Sequence, residues 1–261
     1  MSDYAVNSKE PIAAWIPSLD TAGNGTTTLT DLIGSKHATL TNFALTGSTS
    51  NWVPDTDSGG VRALDFDNSN DYADIGAVDV LPASGALGLS WWEKHTSASG
   101  TWQSRFRFRI QGATRSFLLF RSTAPTFERV AWIGKSSGVY ARASTAPTIT
   151  DSVGVWKHFV LTGPSFLSDT TSDWTLWVNG VSQTLIAGGG ASGFGNAASR
   201  IGLDGLGDDP TNARLDDIRV WTQSLDTSDV SYLYNSGSGR GRIPVTGESR
   251  RRRQSVSGGV L

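Results

Sequence analysis

Apolar and polar residues alternate with a period of two over short runs along most of the chain. HATLTNF (37–43), VRALDFD (61–67), LGLSWWEK (87–94), SRFRFRI (104–110), RSFLLFR (115–121), RVAWIG (129–134), VYARA (139–143), WKHFVL (156–161), WTLWVNG (174–180) and ARLDDIRVW (213–221) each predict a strand. Successive side chains of a strand face opposite sides, so alternation marks one buried and one solvated face. Turn-forming stretches separate the runs, among them DNSND, SASG, NG, GGGASGFG and DGLGDDP. Many strands at short intervals without a helical period predict a sandwich, barrel or jelly roll. Helical spacing occurs once, in LDTSDVSYLYN (225–235), where Asp226 or Thr227 can cap and Val230, Leu233 and Tyr234 share a face. Beyond Gly237 all periodicity stops, which predicts an extended tail over 238–261.

Composition agrees with this picture, since 10 Trp and 30 Gly in 261 residues suit strands joined by tight turns. The absence of cysteine excludes disulfides and thiolate metal sites. The opening MSDYAVNSKEPIAAW shows no secretory pattern, and no apolar stretch reaches membrane-spanning length. The expectation is therefore a soluble protein without a membrane partner. Charge is divided unevenly. Residues 240–261 hold six Arg against one Glu, about +5, leaving 16 Lys and Arg against 23 Asp and Glu, about −7, in the rest. An acidic body with a basic arm predicts an arm that docks through Arg240, Arg242, Arg250, Arg251, Arg252 and Arg253 on an acidic neighbour. Adjacent arginines also serve as generic nucleic-acid contacts, a reading ranked lower here.

Three stretches carry candidate chemistry. In RALDFDNSNDYADIG (62–76), Leu64 and Phe66 are expected to face the core, and Asn68 to Asp71 to form the turn. The alternative is a calcium site using Asp67, Asn68 and Asp71, because calcium takes oxygen ligands only. DGLGDDP poses the same choice between a turn and calcium ligation by Asp204, Asp208 and Asp209. In SRFRFRI, period two places Arg105, Arg107 and Arg109 on one face and Phe106, Phe108 and Ile110 on the other. Those arginines predict either a solvated sheet face or an anionic contact with a charged glycan or acidic neighbour. In LDDIRVW, Asp216 and Ile218 are expected on one face and Asp217 and Arg219 on the other, with a cross-strand or diagonal ion pair. Most of the tryptophans, Trp91, Trp92, Trp102, Trp132, Trp156, Trp174, Trp177 and Trp221 among them, are expected in the core; any left exposed on a concave face would stack against sugar rings.

Four segments in order, residues 12–42, 63–76, 156–185 and 213–235, resemble the laminin-G-like jelly rolls of the concanavalin A-like lectin/glucanase superfamily. The resemblance implies an all-β fold: a two-sheet antiparallel jelly-roll sandwich with one short C-terminal helix and an extended tail. It would occupy 1–237, followed by a basic Gly/Ser/Arg tail over 238–261. The superfamily includes glycosidases, which pair two carboxylates roughly 5–10 Å apart. The four glutamates, Glu10, Glu93, Glu128 and Glu248, lie far apart in sequence, and His37, His95 and His158 are isolated, so no catalysis is expected. The resemblance also implies possible glycan partners and calcium as an optional cofactor, with none required. With the basic arm, the leading expectation is a virion structural protein, a phage head-decoration or tail component bound to other virion proteins or sister copies. The alternative is a stand-alone extracellular carbohydrate-binding protein.

Overall fold

A computed structural model of the chain describes residues 4–20, 25–45, 51–54, 62–97, 99–113, 116–124, 127–133, 139–144, 153–166, 168, 170–190, 197–202 and 210–239. Of these, 99–102, 120–124, 127–133, 139–144, 171 and 186–190 are described in secondary structure and pairing alone. Two sheets lie face to face. The first runs β15 (Val181–Gln183), β14 (Thr175–Val178), β13 (Trp156–Gly163), β8 (Leu87–His95), β18 (Asn212–Trp221), β5 (Ala63–Asp67) and β4 (Asn51–Val53), with β1 (Ala13–Trp15) also on β18. The second runs β16 (Ile186–Gly190), β12 (Val139–Ser144), β11 (Phe127–Ile133), β10 (Ser116–Ala124), β9 (Ser99–Ile110), β17 (Ser199–Ile201), β6 (Tyr72–Gly76), β3 (Ala38–Thr41) and β2 (Thr28–Leu29). Among the described strands only β7 (Asp79–Leu81) pairs in parallel, with β9. This is the antiparallel jelly-roll sandwich that the alternation and the resemblance imply.

The ten alternating runs all coincide with strands. The shortest strands, β1, β2, β4, β7, β15 and β17, have two or three residues and leave no legible alternation. Inward-facing Leu64, Phe66, Leu89 and Leu161 of the first sheet meet Ile75, Phe108, Phe117 and Leu119 of the second in one core. At its centre Trp91 stacks on Phe159 at 5.1 Å and meets Phe106 of the other sheet edge-on at 5.3 Å. Such aromatic pairs add about 0.5–1.5 kcal/mol each beyond the area they bury.

The helix, α1 (Thr227–Tyr234), starts where the sequence places it. Asp226 caps it by accepting from the Ser228 and Asp229 amides, and Asp229 accepts in return from the Asp226 amide. Eight residues make a marginal helix alone. Its stability comes from packing, with Val230 and Leu233 set against Val6, Val160 and Trp221 on the outer side of the first sheet. Lys9, on an N-terminal turn, pairs with Asp226 at 3.2 Å and with Asp229, joining the two ends of the domain. The last described element is the short turn Asn235–Gly237. No helix among the described residues is long and apolar enough to cross a membrane.

Glycine is required at two places that bear on function. Gly202, directly after β17, has φ +95°, and a Cβ there would lie 2.3 Å from the buried ring of Phe66. It is the residue that lets Ile201 enter the core while Arg200 stays on the outer face. In the NG turn, Asn179 and Gly180 both have positive φ, and Tyr234 of α1 rests on Gly180.

Candidate functional site

On the second sheet, β3, β6, β17 and β9 lie side by side. Their residues Leu40, Ala73, Ile75, Ile201, Phe106 and Phe108 enter the core, so the intervening side chains stand on the outer face. These are Thr39, Thr41, Tyr72, Asp74, Arg200, Arg107 and Arg109. The register aligns Thr39 with Asp74, Asp74 with Arg200, and Arg200 with Arg107, one row across four strands. Thr39 is exposed, Arg107 is buried, and the other five are half-buried.

The Arg200 guanidinium lies 4.2 Å over the Tyr72 ring. The Arg200 Nε is 3.9 Å from Asp74 Oδ1, which also accepts the Gly76 amide at 2.8 Å. At the margin Arg109 Nε donates to Asp79 Oδ1 at 2.9 Å. The outer face of these strands therefore carries an aromatic ring, two hydroxyls, two carboxylates and two partly exposed arginine side chains.

The expected row of three solvated arginines needs correction. In the pairing of β9 with β10, Phe106 faces Leu119 and Ser104 faces Phe120, leaving Arg105 as an extra residue in a bulge. Arg105 consequently turns inward on the same side as Phe106. Its NH2 donates to Glu93 Oε1 at 2.8 Å and Gln103 Oε1 at 3.1 Å, and its NH1 to Thr211 Oγ1 at 3.1 Å. Glu93 Oε1 lies 2.6 Å from His95 Nε2, and Oε2 accepts from the Trp91 indole at 3.0 Å. Glu93 and Arg105 are 1 % and 0 % exposed, and Arg107 is 1 % exposed. Neither Arg105 nor Arg107 is placed for an anionic contact at the surface; Arg109 alone of the three keeps partial exposure.

The 67–71 stretch is not a hairpin turn: β5 pairs with β18 and β4 in the first sheet and β6 with β3 and β17 in the second, so the turn carries the chain from one sheet to the other. Asp67 Oδ1 accepts the Ser69 amide, Asp71 Oδ2 accepts the Asp67 amide, and Asn68, at φ 66°, accepts from Gln103 Nε2 at 3.2 Å. Among the described residues no group of three or more His, Asp or Glu side chains is arranged to hold a metal. Asp204, Asp208 and Asp209 lie outside the described residues, as do Arg240, Arg242 and Arg250 to Arg253.

A second polar cluster lies on the outer side of the first sheet, beneath α1. His158 Nε2 and Ser90 Oγ are 2.9 Å apart. The imidazole lies 5.0 Å from the Trp92 ring and 6.1 Å from Tyr234, and its Nδ1 has no hydrogen-bond partner among the described residues. Burial, with the Arg219 charge as the smaller cause, pushes its pKa down to about 3. Arg219 is held by Asp217 through bonds of 2.5 and 3.0 Å, both residues nearly buried. This pair lies within one strand, not across strands or on a diagonal as expected, and Asp216 does not share the Ile218 face. A bulge between Asp216 and Arg219, with Asp217 at φ 48°, resets the alternation, and Asp216 instead accepts from Ser18. Because Ser90 is 1 % exposed and no carboxylate orients His158, the cluster is not arranged as a nucleophilic site.

Of the tryptophans whose side chains are described, Trp15, Trp52, Trp91, Trp92, Trp156, Trp174 and Trp221 are buried and Trp177 is half-buried. Trp102 and Trp132 have no described side-chain placement. Among the described residues of this polar face the aromatic is Tyr72; neither it nor its partner Arg200 is among the candidate binding residues read from the sequence. The one signal for Arg200 was its position between Ser199 and Ile201 just before a glycine.

A family model described as "Concanavalin A-like lectin/glucanases superfamily" (Laminin_G_3) matches residues 67–231. No curated protein matches the chain. Solved structures do. Domain 4 of AbnA, a GH43 extracellular arabinanase from Geobacillus stearothermophilus in complex with arabinotriose, is similar with TM-score 0.51 and 15 % identity, covering 89 % of this chain and 99 % of that one. The botulinum neurotoxin serotype D binding domain gives 0.53 and 13 %, covering 88 % and 52 %. Trypanosoma rangeli sialidase in complex with the inhibitor DANA gives 0.53 and 13 %, covering 88 % and 33 %. The chain thus spans about half of the neurotoxin domain and a third of the sialidase. At these identities the likeness is one of fold.

Proposed function

Because the chain belongs to the concanavalin A-like lectin/glucanase superfamily, we propose that it is a non-catalytic carbohydrate-binding module whose site is the outer face of the second sheet. One observation carries this reading: the half-buried Tyr72 lies among Thr39, Thr41, Asp74 and Arg200 on the polar part of that face. Sugars present apolar C–H faces and a rim of hydroxyls, which call for an aromatic surface bordered by fixed donors and acceptors. The arabinotriose held by the similarly folded arabinanase domain supports the same reading. The engagement of Asp79 by Arg109, the use of Asp74 Oδ1 by the Gly76 amide, and the enclosure of Glu93 favour binding over hydrolysis. The test is a glycan array followed by titration. The intact protein should bind at least one glycan, and Tyr72→Ala should weaken that binding about tenfold or more while the unfolding midpoint changes little. Binding indifferent to Tyr72→Ala, or release of reducing sugar, overturns the proposal.

A second reading, a particle component anchored through its arm, rests on the opposed charges of arm and body. Under it, removal of residues 240–261 leaves the unfolding midpoint and glycan binding unchanged. The intact chain should co-sediment with an acidic protein assembly and the shortened chain should not. Equal behaviour of the two chains removes this reading. The location it implies is a virion surface.

A further inference from the structure

The described arginines differ in how their guanidiniums are engaged. Arg105 is enclosed with Glu93, Arg219 is chelated by Asp217, Arg214 donates to Asp65 at 3.2 Å, and Arg109 donates to Asp79. Arg200 makes no such bond. Its contact with Asp74 is 3.9 Å, beyond hydrogen-bonding reach, and its Nε, buried against the sheet, has no hydrogen-bond partner among the described residues, which leaves the two terminal nitrogens to meet a ligand. Asp74 instead satisfies the Gly76 amide with the same oxygen. Arg200 is nevertheless held in place: the Tyr72 ring lies under its guanidinium, and the short strand β17 is fixed between β6 and β9. The side chain is 21 % exposed.

A guanidinium that is already flat, weakly hydrated and still partly open is suited to a planar carboxylate, which it meets through two parallel hydrogen bonds. The loose contact with Asp74 opposes such a ligand little, because partly exposed ion pairs contribute only about 0–1 kcal/mol.

We propose that the sheet face selects sugars bearing a carboxylate, with Arg200 reading the carboxylate and Tyr72 holding Arg200 in position beside the ring-binding surface. This rests on the glycan-binding reading above and narrows it to acidic sugars. Two sources share the chemistry, uronic acids and sialic acids, and the probes separate them. The full chain is titrated with oligogalacturonate and its methyl ester, and with 3′-sialyllactose and lactose.

At least one acidic probe should bind about tenfold more tightly than its neutral counterpart, and raising salt should weaken it. Arg200→Gln should reduce the preference to about twofold or less, while Arg200→Lys, which keeps the charge without the fork, should recover only part of it. Unchanged unfolding midpoints establish that both variants fold. Equal binding of acidic and neutral probes, a preference that survives Arg200→Gln, or no binding of either acidic probe overturns the inference. If a neutral glycan is bound and lost in Tyr72→Ala, carbohydrate binding stands and only the acidic selectivity falls. If no glycan on the array or among the probes is bound, both fall.

Discussion

The protein should lose stability steadily as pH falls from about 6.5 towards 3, and His158→Phe should remove most of that loss. In the unfolded chain a histidine takes up its proton near pH 6.5; in the fold, burial beneath α1 and the Arg219 charge hold His158 neutral down to about 3. Between those values the unfolded state binds more protons, so the stabilisation is complete above pH 6.5 and disappears as pH falls through this window. A displacement of that size amounts to about 5 kcal/mol at its limit, a large part of a domain's net stability. Phenylalanine preserves an aromatic ring between Trp92 and Tyr234 but cannot be protonated. It leaves the Ser90 hydroxyl without its imidazole partner, so its midpoint at neutral pH should fall by about 1–2 kcal/mol. Its pH profile should nevertheless be flatter between 6.5 and 4. The Asp226 cap, whose carboxyl is held below the usual range by Ser228, the Asp229 amide and Lys9, begins to lose its contribution below about pH 5, as the unfolded carboxyl takes up its proton, but both proteins share that loss and their difference isolates His158. Urea unfolding at half-unit pH steps measures both effects. Parallel profiles for the two proteins would show that His158 is not the group responsible.

The second large effect concerns Glu93 and Arg105. Glu93→Gln should cost about 3–5 kcal/mol, because it leaves the Arg105 charge in the interior without its carboxylate. Replacing both residues by methionine should cost clearly less than the sum of the two single replacements, since no charge then remains buried. The Trp91 indole and His95 keep the double variant from being neutral, as both lose the Glu93 acceptor. Additive losses in a double-mutant cycle would mean that the two groups do not depend on each other. The pair bridges the two sheets, so the same measurement tests how far this end of the sandwich relies on polar rather than apolar contact.

These two clusters mark where alternation along the chain stops being a guide. Period two correctly divided Phe106 from Arg107, Leu64 from Asp65 and Ile75 from Asp74, because an uninterrupted strand leaves a side chain no other choice of face. The 67–71 turn and the Asp226 cap were equally legible, since their hydrogen bonds close within four residues. Arg105 and Asp217 were misread or only half read because each sits at a bulge, and a bulge is created by the neighbouring strand's register rather than by local composition. Arg200 escaped notice for a related reason. Its strand is three residues long, and its meaning comes from partners on β6 and β9 that are remote in sequence. Local chemistry therefore specified the long strands, the turns and the cap. Which charges are buried, and which one faces solvent beside an aromatic ring, followed from pairing between distant segments, because burial is a property of neighbours and a single strand carries no record of them.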